Sequence, residues 1–314
     1  MTGSRPVVVV TASILLLSCM LASVVLVRRV DQMRTAATLE EVLYITSPKM
    51  LKRLSLGYEG LTADIYWTRA VQYFGTKHYN YANRYDLLAP LLELTTALDP
   101  HLIVAYQFGG NFLAPAPPNG AGMPDKAIQL MEYGIHNNPD DWHLYYQLGF
   151  IYYLDKKDYA NAAEAFQRGT RVPNTHPYLK VLAAQMAQHA GEIQTARMLW
   201  VTTYQTTKDR LIRANAVAHL RALQVDDDVS VLQHAVTLYG QKTGHLPASI
   251  SAMVAAGVLS RIPVDPDGHT YKLMPDGRIE VRNPEDFPFV EKGLPPGYTP
   301  PPPKLDALAE KLGN

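Results

Sequence analysis

Apolar side chains recur along the middle of the chain with the spacing of helix pairs, four times between Leu61 and Asp209. The clearest copy runs from Pro139 to Pro173, a separation of 34 residues. Residues three or four positions apart share one face of a helix. On that spacing, the packing positions of this copy are Leu148, Gly149 and Tyr152 on a first helix and Ala162, Phe166 and Gly169 on a second. The small residues let two helix backbones approach, and the large ones fill the volume beside them.

Three further copies lie in phase with the first. Their packing positions are Tyr66, Ala70 and Tyr73 with Leu88, Leu92 and Thr95; Phe108, Gly109 and Phe112 with Ala127, Met131 and Gly134; and Ala183, Ala184 and Ala187 with Ala196, Trp200 and Thr203. A repeat of this length indicates a solenoid, in which each unit needs its neighbours to bury its apolar face. The order of small and large residues resembles the tetratricopeptide repeat (TPR). That resemblance implies a mainly α protein with a TPR-like α-solenoid of about four helix pairs over residues 61–208.

An uncharged run of 21 residues from Val7 to Val27 precedes the repeats, and arginines flank it on both sides. At 1.5 Å per residue, such a helix can cross a hydrocarbon core of about 30 Å. We therefore expect an N-terminal transmembrane anchor over residues 1–34 and a connecting segment over residues 35–60. Two alternatives stay open. One is a cleaved signal peptide, whose apolar run is usually shorter; the other is lipidation of Cys19, because residues 16–19 resemble a bacterial lipobox.

The charges around this run do not decide its orientation. Arg28, Arg29 and Arg34 follow the run, whereas only Arg5 and the amino terminus precede it. By the positive-inside rule, that asymmetry favours a cytoplasmic bulk. The short leader and the C-terminal pattern described below favour export. We expect a single-pass protein of a bacterial inner membrane with its bulk in the periplasm.

Net charge, cysteine content and the absence of catalytic motifs argue against several classes of function. Twenty-nine Lys and Arg residues balance 29 Asp and Glu residues, so net charge gives no argument for nucleic-acid binding. A single cysteine cannot form an intrachain disulfide framework or a cysteine-rich zinc cluster. The phosphate-loop, nucleophile-elbow and His-Glu-x-x-His motifs do not occur. We therefore expect a non-enzymatic protein without a cofactor or a metal site.

Residues 209–283 follow a different pattern. The triplet Asp226–Asp228 is expected to cap a helix that begins near Val229, since acidic side chains complement a helix N-terminus. A short helix over 249–256 and two strands over 271–274 and 278–281 follow, joined by a Pro-Asp-Gly turn. This order resembles the C-terminal part of type II secretion major pseudopilins. About 200 residues separate it from the N-terminal helix, and no pilin processing site occurs, so a role as a pilus subunit is not expected.

Two features of the C-terminal third invite sharper hypotheses. Asp265 and Asp267 on a glycine-containing loop could hold calcium, but the EF-hand spacing is absent and a tight turn explains both residues. The tail over 284–314 is rich in proline and ends in a predicted helix over 304–312. Its proline run is expected to be a stiff spacer, with docking onto a partner's aromatic groove as the alternative.

The TPR resemblance implies a concave groove lined by residues of the first helices. Carried over by register, these positions are Trp67, Phe74, Tyr106, His143, Tyr146, Phe150, Tyr153, Tyr178, Gln185 and His189. The groove lacks the basic residues of the family's carboxylate clamp, and its aromatic character suits an apolar or extended segment. Helical spacing alone would equally place these rings between repeats.

The expected function is a non-catalytic, membrane-anchored TPR scaffold that binds another protein. Its partners would be pilus, secretion or other membrane-complex components, together with the lipid bilayer through residues 7–27, and not nucleic acid. Two alternatives are an assembly or pilotin-like factor of a type IV pilus or secretion system, and an accessory subunit of a larger membrane complex.

Overall fold

A computed structural model of the protein describes residues 5–34 and 47–312, and residues 35–46 of the predicted connecting segment lie outside that description. The described chain is mainly helical, as the sequence predicts. By its internal contacts, the chain divides into two compact units, residues 1–126 and 127–314. The boundary falls within a helix, after its first turn.

The first unit is built from helices only, among its described residues. They are α1 (Arg5–Arg34), α2 (Pro48–Leu54), α3 (Glu59–Tyr79), α4 (Leu88–Leu98), α5 (Ile103–Leu113) and the first turn of α6 (Pro124–Asn137). Helix α3 packs on α4, and α4 packs on α5 and α2. No helix among the residues described with their side chains is long and apolar enough to cross a membrane, and for α1 those residues begin at Ser13. The membrane span over residues 7–27 stays a prediction.

The second unit continues the helical succession and adds a small hairpin. Its elements are α7 (Trp142–Phe150), a π-helical turn (Ile151–Lys156), α8 (Tyr159–Gly169), α9 (Tyr178–His189), α10 (Ile193–Thr206), α11 (Arg210–Thr243), α12 (Ile250–Ala255), β1 (Lys272–Leu273), β2 (Ile279–Glu280), a 3₁₀ turn (Pro284–Asp286) and α13 (Leu305–Leu312). From α7 to α11, each helix packs on the next one along the chain.

The packing positions predicted for the repeats are mostly buried. Those that the structure buries are Ala70, Tyr73, Leu88, Leu92, Thr95, Gly109, Ala127, Met131, Gly134, Leu148, Gly149, Ala162, Phe166, Gly169, Ala183, Ala184, Ala187, Ala196, Trp200 and Thr203. Tyr66, Phe112 and Tyr152 are half-buried, and Phe108 is exposed. The sequence predicts that Gly149 and Ala162 are the small residues that meet where the two helices cross. In the structure, the three atoms nearest to a Cβ at Gly149 all belong to the ring of Phe166, two of them at 2.6 Å.

The acidic triplet does not begin a helix, and that prediction is wrong. Helix α11 runs without a break from Arg210 to Thr243, and Asp209 caps it by accepting from the N–H groups of Leu211 and Ile212. Asp226–Asp228 therefore lies in the middle of this helix. The capping interpretation failed because a run of carboxylates has the same local signature at a helix start and at a site of tertiary contacts.

Each carboxylate of the triplet binds a different element. Asp226 is 8% exposed and accepts from the backbone N–H groups of Glu291 and Lys292 at 2.9 and 2.7 Å. Asp227 pairs with Arg197 of α10, and Asp228 accepts from the Tyr271 hydroxyl beside β1 at 2.9 Å. Successive residues of a helix point about 100° apart, so three neighbours can bind in three directions. The triplet joins α11 to α10, the hairpin and the C-terminal loop.

The C-terminal part of this unit forms its own core around the second half of α11. The core includes Val229 and Leu232 of α11, Met253 of α12, Ile279 of β2 and, further along, Phe287. Strands β1 and β2 pair antiparallel, with Leu273 opposite Ile279, so the predicted hairpin is confirmed. The short helix after Ser249 is also confirmed, and Ser249 caps it. Helix α13 packs back onto α11.

Asp265 and Asp267 have structural roles. Asp265 is 3% exposed, and its Oδ1 accepts from the N–H groups of Asp267 and His269 at 2.9 and 2.8 Å. Asp267 pairs with Arg221 of α11 at 2.5 Å. The described residues contain no group of three or more His, Cys, Asp or Glu side chains placed to hold a metal ion. These two aspartates close the turn and fasten it to α11.

Candidate protein-binding surface

The surface begins where α7 starts. The Asp141 carboxylate accepts from the His143 N–H at 3.0 Å and so caps the helix. The inward face of α7 carries Leu144 and Leu148, which are fully buried. Of the two tyrosines between these leucines, Tyr145 is also buried, whereas Tyr146 is half-buried at the edge of this face.

The first part of this surface is a series of rings along α7. Trp142 stacks on His143 with ring centroids 3.8 Å apart, and it meets Tyr146 edge to face at 6.1 Å. Tyr146 in turn contacts Phe150 at 4.7 Å. Such contacts between neighbouring rings contribute about 0.5–1.5 kcal/mol each beyond the area they bury. These contacts therefore stabilise the arrangement of the rings along α7.

The second part runs from α7 to α9. Phe150 contacts Tyr153 at 6.2 Å, Tyr153 contacts Tyr159 of α8 at 5.9 Å, and Tyr159 contacts His189 of α9 at 5.7 Å. The rings thus form one continuous series across three successive helices. We call this series the aromatic row; its members are Trp142, His143, Tyr146, Phe150, Tyr153, Tyr159 and His189.

A π-helical turn gives the row its second part. Helix α7 passes into the π turn at Ile151, and Lys157 ends that turn in a left-handed conformation with φ of 56°. Asp158 then caps α8 by accepting from the Asn161 N–H at 3.1 Å. A wider turn rotates the following side chains relative to α-helical spacing. This change of spacing accompanies the approach of Tyr153, on the π turn, to Tyr159 at the start of α8.

Two members of the row pack on a buried phenylalanine of the core. Phe166 of α8 is fully buried, and it contacts Tyr146 at 6.3 Å and Phe150 at 5.4 Å. All of the row's tyrosines and Phe150 are half-buried, so each exposes only part of its ring. These rings therefore pack on the core with one part and are open to solvent with the other.

Charged side chains lie beside the row, and the carboxylates of Asp141 and Asp158 among them accept hydrogen bonds. Hydrogen bonds from Asn161 hold the pKa of the Asp158 carboxyl below its ordinary value. Burial raises the pKa of the Asp155 carboxyl and of the Tyr152 phenol. The His143 ring lies 2.8 Å from the Asp141 carboxylate through Nδ1.

Four of the residues predicted for the groove lie together on α7 and the π turn, and His189 joins them through Tyr159. Tyr178 is 45% exposed at the start of α9, and Gln185 is half-buried on the same helix. Neither belongs to the ring contacts of the described residues. Sequence reasoning missed Trp142 and Tyr159. Both stand at the first residue of a helix, directly after a capping Asp, and that position is the signal that could have found them.

In the first unit, Trp67 and Phe74 of α3 pack on α5. Phe74 stacks on Phe112 at 4.0 Å, and Trp67 contacts Phe112 at 6.4 Å. Both are half-buried, and the ring of Phe108 beside them is 48% exposed. These residues form a second, smaller aromatic cluster.

Tyr106 is not a groove residue. It is fully buried, and its hydroxyl donates to the Pro100 carbonyl at 3.0 Å. Tyr145 makes the same bond to Pro139 at 3.1 Å, again six residues back. The two hydrogen bonds span the same interval, and Gly110 follows Pro100 by ten residues, as Gly149 follows Pro139. The predicted register instead aligned Gly109 with Gly149.

No protein-family model matches this sequence, and no curated protein matches it at a significant level. The contacts of the aromatic row therefore carry the functional argument.

Proposed function

We propose that the protein is a helical-repeat scaffold that captures an extended, apolar segment of a partner protein along the aromatic row. The observation that carries this proposal is the continuous series of half-buried or exposed rings from Trp142 to His189. Partly exposed aromatic side chains are the residues that most often anchor protein interfaces. A row of them on successive helices offers regularly spaced positions for the side chains of an extended chain.

The TPR resemblance supports the same function. The hydrogen bond from a first-helix tyrosine to a proline carbonyl six residues earlier occurs at Tyr106 and again at Tyr145. A contact that recurs in this way is what tandem copies of one structural unit would give. In TPR proteins, the first helices of the repeats line the ligand groove, and by this resemblance α7, which carries the first part of the row, would be such a helix.

We further propose that residues 7–27 anchor this scaffold in a membrane. The support is the uncharged run of 21 residues flanked by Arg5 and Arg28. Residues of α1 such as Leu17, Leu21 and Leu26 are more than 60% exposed. Exposed apolar side chains of this kind need a lipid or protein environment. A scaffold held at a membrane would present its aromatic row to components of the same membrane complex.

Photo-crosslinking tests the capture of a partner. A benzoylphenylalanine at Tyr153 should give a crosslink to one defined protein in cells, because Tyr153 lies in the row. The same probe at Tyr204, a 41% exposed tyrosine of α10 outside the row, should not. Trp142→Ala combined with Tyr153→Ala should reduce capture by at least about 100-fold, since truncating interface anchors costs about 2 kcal/mol or more each.

The matched control for the double variant is Tyr204→Ala, which removes an exposed ring without touching the row. Trp142 and Tyr153 each make ring contacts within the row, and Tyr153 also packs against the buried core, so the double variant should lose a few kcal/mol of stability. Capture is therefore compared at a temperature at which circular dichroism shows both variants folded. Unchanged capture by a folded double variant would refute the proposal. Capture of pilus or secretion components would support the assembly-factor alternative as the biological setting.

A further inference from the structure

The segment between α1 and the repeats carries an exposed apolar surface. Helix α2 is fixed to α4 through Leu51, which is 5% exposed and packs with Leu94 and Leu98. Its other sides are open. Six large apolar residues between α2 and the first turns of α3 are each more than half exposed: Met50, Leu54, Leu56, Tyr58, Leu61 and Ile65.

The most exposed of these residues sits in a strained turn. Leu56 is 84% exposed, has a φ of 49°, and is followed by Gly57 with a φ of 94°. The left-handed conformation is unfavourable for leucine, because its Cβ approaches the following carbonyl oxygen. Met50 and Leu54 on α2, and Leu61 and Ile65 on α3, are each separated by four residues and so lie on one face of their helix. The turn therefore projects an apolar tip between two apolar helix faces.

Basic residues accompany these apolar ones. Lys49, Lys52 and Arg53 are all exposed on α2, and α2 contains no acidic residue. On α3, Glu59 is half-buried and Asp64 is exposed. A short amphipathic element with Lys and Arg beside large apolar residues is typical of segments that lie in the interface of an anionic bilayer.

We propose that this α2 surface, formed by the six apolar residues and the three basic ones, docks onto an anionic lipid bilayer. The inference rests on the proposed membrane anchor in one respect only: the anchor would bring the α2 surface close to the bilayer. Helix α1 ends at Arg34, and the chain from there to Ser47 can span at most about 45 Å. A membrane that held α1 would thus lie within reach of the α2 surface. Charge complementarity selects anionic lipid over zwitterionic lipid as the occupant.

The single cysteine of the chain makes the test direct. In full-length protein with Cys19→Ser, Leu56→Cys carries an environment-sensitive dye, and the protein is mixed with vesicles of phosphatidylcholine with or without phosphatidylglycerol. We expect a blue shift and protection from an aqueous quencher only with phosphatidylglycerol, weakened by salt. Lys49→Glu, Lys52→Glu and Arg53→Glu together should lower docking by about 100-fold or more. All three residues are exposed, so folding should be unchanged.

Two further labels separate this inference from the anchor. Dye on Cys19 reports insertion of α1, and dye on Val231→Cys, a 53% exposed position of the second unit, is the matched control. Insertion at Cys19 with Leu56 still in an aqueous environment would overturn the inference and leave the anchor standing. A shift at Leu56 without insertion at Cys19 would support the inference and refute the anchor. A blue shift of the dye at Leu56 that needs no lipid and grows with protein concentration would show that a second copy of this protein covers the surface. That result would overturn the inference.

Discussion

At the scale of single residues, Gly149 is where the repeat packing is tightest. Two ring carbons of the buried Phe166 lie 2.6 Å from the position of a Cβ. Gly149→Ala should therefore destabilise the protein by about 1–3 kcal/mol, because the ring is enclosed and has no room to shift. Chemical denaturation followed by circular dichroism measures the change.

Gly75 provides the control for this variant. It also lies inside a helix, α3, but a Cβ there would meet no atom within 4 Å. Gly75→Ala should therefore stabilise the protein by about 0.5–1 kcal/mol through helix propensity alone. If both variants unfolded at higher denaturant concentration than the parent, the close approach of Phe166 would be wrong.

Asp226 should make stability depend on pH. Burial raises the pKa of its carboxyl from 3.8 to about 6, while its hydrogen bonds from the backbone of Lys292 and Glu291 oppose that rise. Between these two values, the folded protein binds more protons than the unfolded chain. The free energy of unfolding therefore falls as pH rises through this window, by up to about 3 kcal/mol.

Asp226→Asn removes this contribution, because the amide oxygen can still accept both N–H groups but carries no charge to desolvate. The stability of the Asn variant relative to the parent should therefore rise from about pH 4 to about pH 7. Urea unfolding at several pH values in that range measures the difference. Parallel pH profiles for the two proteins would contradict the assignment.

At the scale of elements, the sequence specifies what depends on local spacing. The helix pair α7 and α8 was predictable because small residues at Gly149, Ala162 and Gly169 recur with large ones at helical intervals. That pattern is typical of two helix faces that pack together. Spacing did not specify the register of α5, because Gly109 and Gly110 are both small; the hydrogen bond from Tyr106 to Pro100 favours Gly110.

Helix α11 shows what local reasoning does not capture. Three adjacent aspartates are unfavourable inside an isolated helix, where they repel one another and have a low helix propensity. Here they are compensated by Arg197, by the Tyr271 hydroxyl and by two backbone N–H groups near Lys292. These partners lie 30 to 66 residues away in sequence. Tertiary contacts therefore override the capping signal.

Part of the aromatic row was predictable from the sequence, and part was not. Register alone placed Tyr146, Phe150 and Tyr153 together, because α7 continues directly into the π turn that carries Tyr153. The contribution of Tyr159 depends on the π turn between α7 and α8, and a change of helical pitch leaves no clear trace in hydrophobic spacing. Whether a ring forms core or surface was not predictable, since that depends on Phe166 lying beneath it.

At the scale of the whole molecule, the scaffold hypothesis depends on where the chain is held. If residues 7–27 span a membrane, the full-length protein should stay in the pellet after carbonate extraction, and Cys19→Ala should not release it. The reason is that a run of 21 uncharged residues needs no lipid attachment to remain inserted. Loss of membrane association in the Cys19→Ala variant would instead identify the protein as a lipoprotein.

A reporter fused after Asn314 determines the side of the membrane. With a periplasmic bulk, alkaline phosphatase should be active at this position and a cytoplasm-dependent fluorescent protein should be dark. The opposite pair of results would place the bulk in the cytoplasm, as the positive-inside rule favours from Arg28, Arg29 and Arg34. Reversing these three charges would then be expected to invert the chain. That outcome would move the aromatic row, and the search for its partner, to the other compartment.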